Sequence, residues 1–220
     1  MLIVEETFLL LTKEHGAAAR VRSYRRQALV AALLTDLAEA GVVRVGEERD
    51  PRVTVVRAGT TGHPVLDAAL PALDRLSGQR ISTLVASAKL DPEQAVARSL
   101  TRQGILQEVP RRFRSPVFVT MNPAPGMAVR DRLGTVLAGD REATVADATE
   151  LGILKALNLA YVLLGPARGD LDRRGLARRI TAVSGEVPAV RALQRRVDSI
   201  TASTTVATTA AGAAGATSAS

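Results

Sequence analysis

Apolar residues recur along this chain with two periods, about 3.6 and about two, and the switches between them mark its elements. VEETFLLL predicts a helix over about Val4 to Leu11, ending at the His15-Gly16 turn, with Leu9 and Leu10 inward. QALVAALLTDLAEA, from Gln27 to Ala40, is apolar on nearly every side as far as Leu34. It turns polar at Asp36 and Glu39, and Gly41 stands where a C-terminal cap falls, so a central buried helix that exposes Asp36 and Glu39 is expected.

Period two takes over at Val42 to Val45 and Val53 to Val56, which flank the turn GEERDP and predict a hairpin. In TTGHPVLDAAL, Gly62 permits a tight turn, Pro64 suits a first helical position and Asp67 lies in the first turn, where the helix dipole favours an acid. Val65, Leu66, Ala69, Leu70 and Leu73 then form one stripe, with Pro71 expected to bend the helix. Helices over Ile81 to Ala88 and Asp91 to Gln103 follow, the second with Asp91 as N-cap, Pro92 at its first position and Gly104 as its stop.

A second hairpin is expected from Ile105 to Val109 and Pro116 to Thr120, its tip the run Pro110-Arg111-Arg112-Phe113-Arg114-Ser115. Helices near 127–138, 144–164, 170–183 and 188–199 complete the pattern. The fold class is therefore mainly α: a central helical bundle with surrounding amphipathic helices and two β-hairpins, one projecting. A single domain over residues 1–200 is expected, and 201–220, nearly all Ser, Thr, Ala and Gly, is expected to be a disordered tail.

One internal similarity bears on function. Leu37 to Val43 before the first hairpin resembles Leu100 to Leu106 before the second, each a helix end, a glycine and a strand. That layout is also the layout of a winged-helix module, so a DNA-binding reading stands as an alternative, with Gln94, Arg98 and Arg102 on the reading helix. Acids exposed at Asp36 and Glu39 on the other candidate helix would repel a phosphate backbone, which disfavours nucleic acid as a partner.

Composition narrows the chemistry. Hydrophobic residues make up 46% of the 220 but aromatics only 2%, so Leu, Val, Ile and Ala build the core. The absence of Cys removes disulfides and thiolate chemistry. The histidines, His15 and His63, lie in separate turns, and no HExxH, calcium loop or phosphate-cradling glycine loop occurs, so a non-enzyme without metal or cofactor is expected. Glu5 and Glu6 interrupt the N-terminal apolar run and no basic stretch precedes it, which argues against a signal peptide. Leu151 to Gly165 falls short of the roughly 20 residues that span a bilayer. A cytoplasmic protein is expected.

Net charge is +7, carried almost wholly by arginine. The basic residues gather at Arg20, Arg22, Arg25 and Arg26, at Arg111, Arg112 and Arg114, and at Arg173, Arg174, Arg178 and Arg179. At the hairpin tip Phe113, Val117 and Phe118 accompany the arginines, and apolar plus cationic groups together suit an anionic membrane surface; the alternative is that Phe118 packs inward and only the arginines show.

In their order, VEETFLLL, ALLTDLAEAG with its strand, TTGHPVLDAAL, the helix ending in TRQGIL and the hairpin after it resemble the Golgi phosphoprotein 3 family in its bacterial, actinobacterial-type form. The most specific match is at Thr61, Gly62, Leu66, Asp67, Ala69 and Leu70. The resemblance implies a helical domain whose projecting hairpin touches membrane beside a basic pocket for phosphatidylinositol 4-phosphate, and, in eukaryotic members, an adaptor that retains glycosyltransferases. The family's lipid-contacting tryptophan and arginine align near Val21 and Val30, and its arginine pair at Leu90 and Glu93, so this pocket is not matched residue for residue.

The expectation is thus a peripheral adaptor at the inner face of a membrane. It binds anionic, phosphoinositide-like headgroups through Arg20, Arg22, Arg25, Arg26, Arg111, Arg112 and Arg114, with Phe113, Val117 and Phe118 against the membrane. A protein client and self-association through the hairpin are further partner expectations, and a protein-only adaptor whose arginines meet acidic tails is a further alternative.

Overall fold

The computed structural model describes residues 1–12, 18–57, 59–111, 114–185 and 187–199, the side chains of 18–23, 111 and 114–116 excepted. The expected tail, 201–220, lies outside the described residues.

Helix α2 (Ala18–Glu39) is the axis of the molecule. Ala28 to Leu33 have no exposure at all, because ALVAALL offers apolar surface in every direction and must be covered in every direction. The short helix α1 (Ile3–Leu10), itself buried along its whole length, lies against it, as do α3 (Pro64–Arg75), α4 (Ile81–Ala86) and α7 (Val145–Ala156). Helix α5 (Glu93–Arg102) packs on α1 and α3, and α6 (Ala124–Ala138) packs on α1, α7 and α9 (Arg173–Ser184). A last helix, α10, spans 188–199. Buried residues from all these helices form one continuous core.

Two antiparallel hairpins lie outside this bundle: β1 (Val43–Val45) with β2 (Val53–Val55), and β3 (Leu106–Arg111) with β4 (Arg114–Thr120). The two glycine junctions before them repeat in detail. Gly41 has φ +65° and Val42 N–H reaches back to the Leu37 carbonyl at 2.9 Å; Gly104 has φ +72° and Ile105 N–H reaches Leu100 at 3.0 Å. Both are left-handed helix stops that release the chain straight into a strand.

TTGHPVLDAAL is knitted by its own polar groups. The Asp67 carboxylate accepts the Thr61 N–H at 2.6 Å and the Thr61 hydroxyl at 2.7 Å, while His63 Nδ1 accepts the Val65 N–H and so caps α3. The helix carries on through Pro71 to Arg75.

The structure revises several boundaries. Helix α2 begins at Ala18 and not near Gln27. The second hairpin is longer than alternation predicts, its strands reaching Arg111 and Arg114. The single helix expected over 144–164 is two, α7 and α8 (Ala160–Leu163), because Asn158 takes a left-handed conformation, φ 55°, and α8 runs into a 3-10 turn, Gly165–Arg168. Asp36 is not exposed: it is buried to 6%, drawn inward by two backbone N–H groups of α1.

Candidate functional site

Two arginines of the basic run of α2, Arg25 and Arg26, turn inward. Arg25 lies with its guanidinium 4.2 Å over the Phe8 ring and donates to the Leu11 carbonyl at 3.2 Å and to Thr12 Oγ1 at 3.0 Å. It also forms an ion pair with Glu93 at 3.1 Å. Burial pulls its pKa below the usual arginine value, and Glu93 works against that shift. Arg26 donates to the Ser87 carbonyl. These two side chains therefore clamp α2 to α1, α5 and the end of α4. Arg20 and Arg22 stand on the first turns of α2, with side chains outside the described residues.

The same corner accounts for the positions at which the family resemblance would put lipid-contacting side chains. Val30 and Leu90 are core residues, and Glu93 is the partner of Arg25. An acid already paired with the nearest buried cation does not present that cation to a ligand.

At the second hairpin the register sets Arg111 opposite Arg114, Val109 opposite Val117, Glu108 opposite Phe118 and Gln107 opposite Val119. Residues facing one another across an antiparallel pair share a face, so Val109, Val117 and Val119 lie together on one side. Val109 and Val119 are 40% and 38% exposed, Val117 is half-buried, and Met121, just past β4, is 60% exposed. Phe118 points the other way and packs on the core. Of the expected membrane-contacting residues, Val117 thus belongs to the outward apolar face and Phe118 to the inward one. Arg112 and Phe113 lie outside the described residues. Val109, Val119 and Met121 were open to sequence reading, since period two from Val117 puts 119 and 121 on its side.

A second polar assembly went unseen in the sequence. Asp36 Oδ1 and Oδ2 accept the Ile3 and Val4 N–H groups, each at 2.9 Å, and so cap α1 with a residue of α2. Glu5 accepts from Ser99 Oγ at 2.7 Å and Gln103 Nε2 at 3.0 Å, both on the α5 side. Glu6 grips Arg132 of α6 through both oxygens, and Arg132 also reaches Asp147 and Glu150 of α7, each at 2.9 Å. Arg141 closes on the far oxygen of Asp147. The hydrogen bonds that Arg132 donates to Glu6 raise the Arg132 pKa, while burial pushes Glu150 up to about 10 with the Glu6 carboxylate adding to it. Asp147 alone carries a local mark, as the third helical residue of a Thr144-x-x-Asp147 capping box; the burial of Glu5, Glu6 and Glu150 depends on side chains from segments elsewhere in the chain.

His63 is occupied as the cap of α3, and His15 lies outside the described residues. Among the described residues no group of three or more Asp, Glu or His is placed to hold a metal, and no helix is long and apolar enough to cross a membrane. The family model described as Golgi phosphoprotein 3 matches residues 3–200. No curated protein matches the chain.

Proposed function

Since the chain belongs to the Golgi phosphoprotein 3 family, we propose that it is a peripheral membrane-associated adaptor, not an enzyme, that binds anionic, phosphoinositide-like headgroups. The observation that supports this is the second hairpin. Its outward face is apolar at Val109, Val117 and Val119, runs on to the exposed Met121, and lies beside a tip that carries Arg111, Arg112 and Arg114. Apolar side chains of this kind enter the boundary between headgroups and acyl chains while arginines meet phosphates. Arg20 and Arg22 add charge from the start of α2. Arg25 and Arg26 hold that helix in place behind them.

The test is co-sedimentation with phosphatidylcholine liposomes, plain or supplemented with phosphatidylserine or phosphatidylinositol 4-phosphate. Each arginine near an anionic leaflet contributes about 1 kcal/mol, so the triple change Arg111→Ala, Arg112→Ala and Arg114→Ala is expected to weaken binding by roughly a hundredfold. Absence of binding to every anionic liposome at moderate salt would overturn the proposal.

A further inference from the structure

The C-terminal end of α2 borders a pit of about 370 Å³ where five elements meet. Its walls are apolar: Leu34 and Ala38 of α2, Val45 of β1, Ile81 of α4, Val145 at the start of α7 and Pro188 at the start of α10. Val145 is 45% exposed, an aliphatic side chain left open to solvent. The volume falls within the range of about 300–1,000 Å³ that small-molecule sites span, and such sites are mostly apolar with a few polar groups that fix the ligand.

Two polar side chains interrupt this lining, and both can only accept. Thr35 Oγ1 spends its hydrogen on the Ala31 carbonyl at 3.2 Å, so its oxygen keeps lone pairs but has no proton for a ligand. Glu39, one turn after Thr35 on the same face of α2, is exposed and forms no ion pair among the described residues. Other exposed acids, Glu47 for one, also lack an ion pair there; Glu39 differs in standing in the lining of an apolar pit. No Lys, Arg or His is among the lining residues. The helix end adds to the same polarity, since α2 has no basic residue in its last turn and the negative end of its dipole favours a cation there. Asp36 of that turn is already committed to α1.

We propose that this pit binds a small apolar amine, a primary or secondary ammonium on an aliphatic body, with the ammonium at Glu39 and Thr35 Oγ1 and the body against Val45, Ile81 and Val145. An ammonium brings the hydrogens that both acceptors lack, and its charge meets the Glu39 carboxylate and the helix end together. A phosphate or a carboxylate would face two acceptors, one of them an acid, and the negative end of the dipole, so anionic ligands are excluded here. A neutral alcohol can donate one hydrogen bond but forgoes the charge. Leu34 lies about 18 Å along the helix from Arg22. The site is therefore separate from the arginines assigned to lipid and does not rest on that assignment.

Methyl NMR of the whole protein, titrated in turn with hexylammonium, butylammonium, hexanol and hexanoate, tests this. Hexylammonium is expected to shift the methyls of Leu34, Val45, Ile81 and Val145, with hexanol at least tenfold weaker and hexanoate without effect on them. Butylammonium, shorter by two methylenes, is expected to bind roughly tenfold more weakly than hexylammonium, because each buried methylene counts for about fourfold. Glu39→Gln is expected to weaken hexylammonium at least tenfold, and Glu39→Lys to abolish it and admit hexanoate in its place. Glu39 is exposed, so an unchanged thermal melt of both variants is expected and assigns any loss to binding and not to folding. The proposal is overturned if hexylammonium at millimolar concentration leaves these methyls unmoved, if hexanol binds as tightly as the amine, or if Glu39→Gln leaves the affinity unchanged.

Discussion

Glu150 has no exposure, and its two oxygens are treated unequally: Oε2 receives Arg132, and Oε1 has no hydrogen-bond partner among the described residues. Burial, and then the neighbouring Glu6, push its pKa up to about 10. Asp36 rises to about 7, again chiefly through burial, although the Val4 and Ile3 N–H groups oppose the shift. Both folded-state values lie above those of the unfolded chain. Their contribution to stability is therefore full at low pH, falls as pH rises through about 7, and continues to fall towards about 10. Glu6 behaves oppositely: burial alone would raise it, but Arg132 outweighs burial and holds it below the usual range, so its contribution fades under acid. Melting temperature followed across pH should peak near about pH 5 and decline on the alkaline side, and Glu150→Gln should flatten that decline. Arg132→Met leaves three carboxylates facing one another with little water and should cost about 3–5 kcal/mol in urea unfolding. Adding Glu150→Gln to Arg132→Met should recover part of that loss.

Between elements, two helical glycines make a usable contrast. A Cβ on Gly134 of α6 would lie 2.7 Å from the Ala167 carbonyl oxygen in the 3-10 turn, a backbone atom that cannot rotate away. A Cβ on Gly152 of α7 would lie 2.7 Å from Val190 Cγ1 on α10, a side-chain tip. Alanine is worth up to about 1 kcal/mol over glycine within a helix, so the sign of each change depends on whether the neighbour yields. Gly134→Ala should destabilise by about 1–3 kcal/mol. Gly152→Ala should cost less, and pairing it with Val190→Ala should relieve the clash, with urea midpoints as the readout. At this scale sequence reading was reliable where a local rule acts alone: the Gly41 and Gly104 stops, the Pro64 start and the hairpin alternation were all legible. It failed at Asn158, where a non-glycine residue takes a left-handed conformation and splits a stretch that is apolar on both sides.

Across the whole molecule the fold was more legible than the chemistry. Helix α2 shows in the sequence because a segment apolar all round can only be interior, and the mainly helical class follows from it. The fates of individual charges were not legible. Arg25 and Arg98 look alike as residues in basic helices, yet one is clamped by Phe8, Leu11, Thr12 and Glu93 and the other has no such partner among the described residues. The difference lies in what tertiary packing brings opposite, which no local pattern encodes. Asp36 shows the same limit: an acid at the polar end of a helix reads as solvated until α1 arrives to use it as a cap.

That arrangement of α1 has a consequence for synthesis on the ribosome. The arginine that Glu6 grips is made 126 residues after it, and Ser99, the partner of Glu5, 94 residues after that acid. Until then IVEETFLL is a greasy segment with α2 to lean on but no closed interior to enter, and a helix this short does not hold its shape in water by itself. Through that interval Glu5 and Glu6 are ordinary hydrated charges that keep the nascent segment from adhering to its neighbours. Once the later helices emerge, the same two side chains become its anchors.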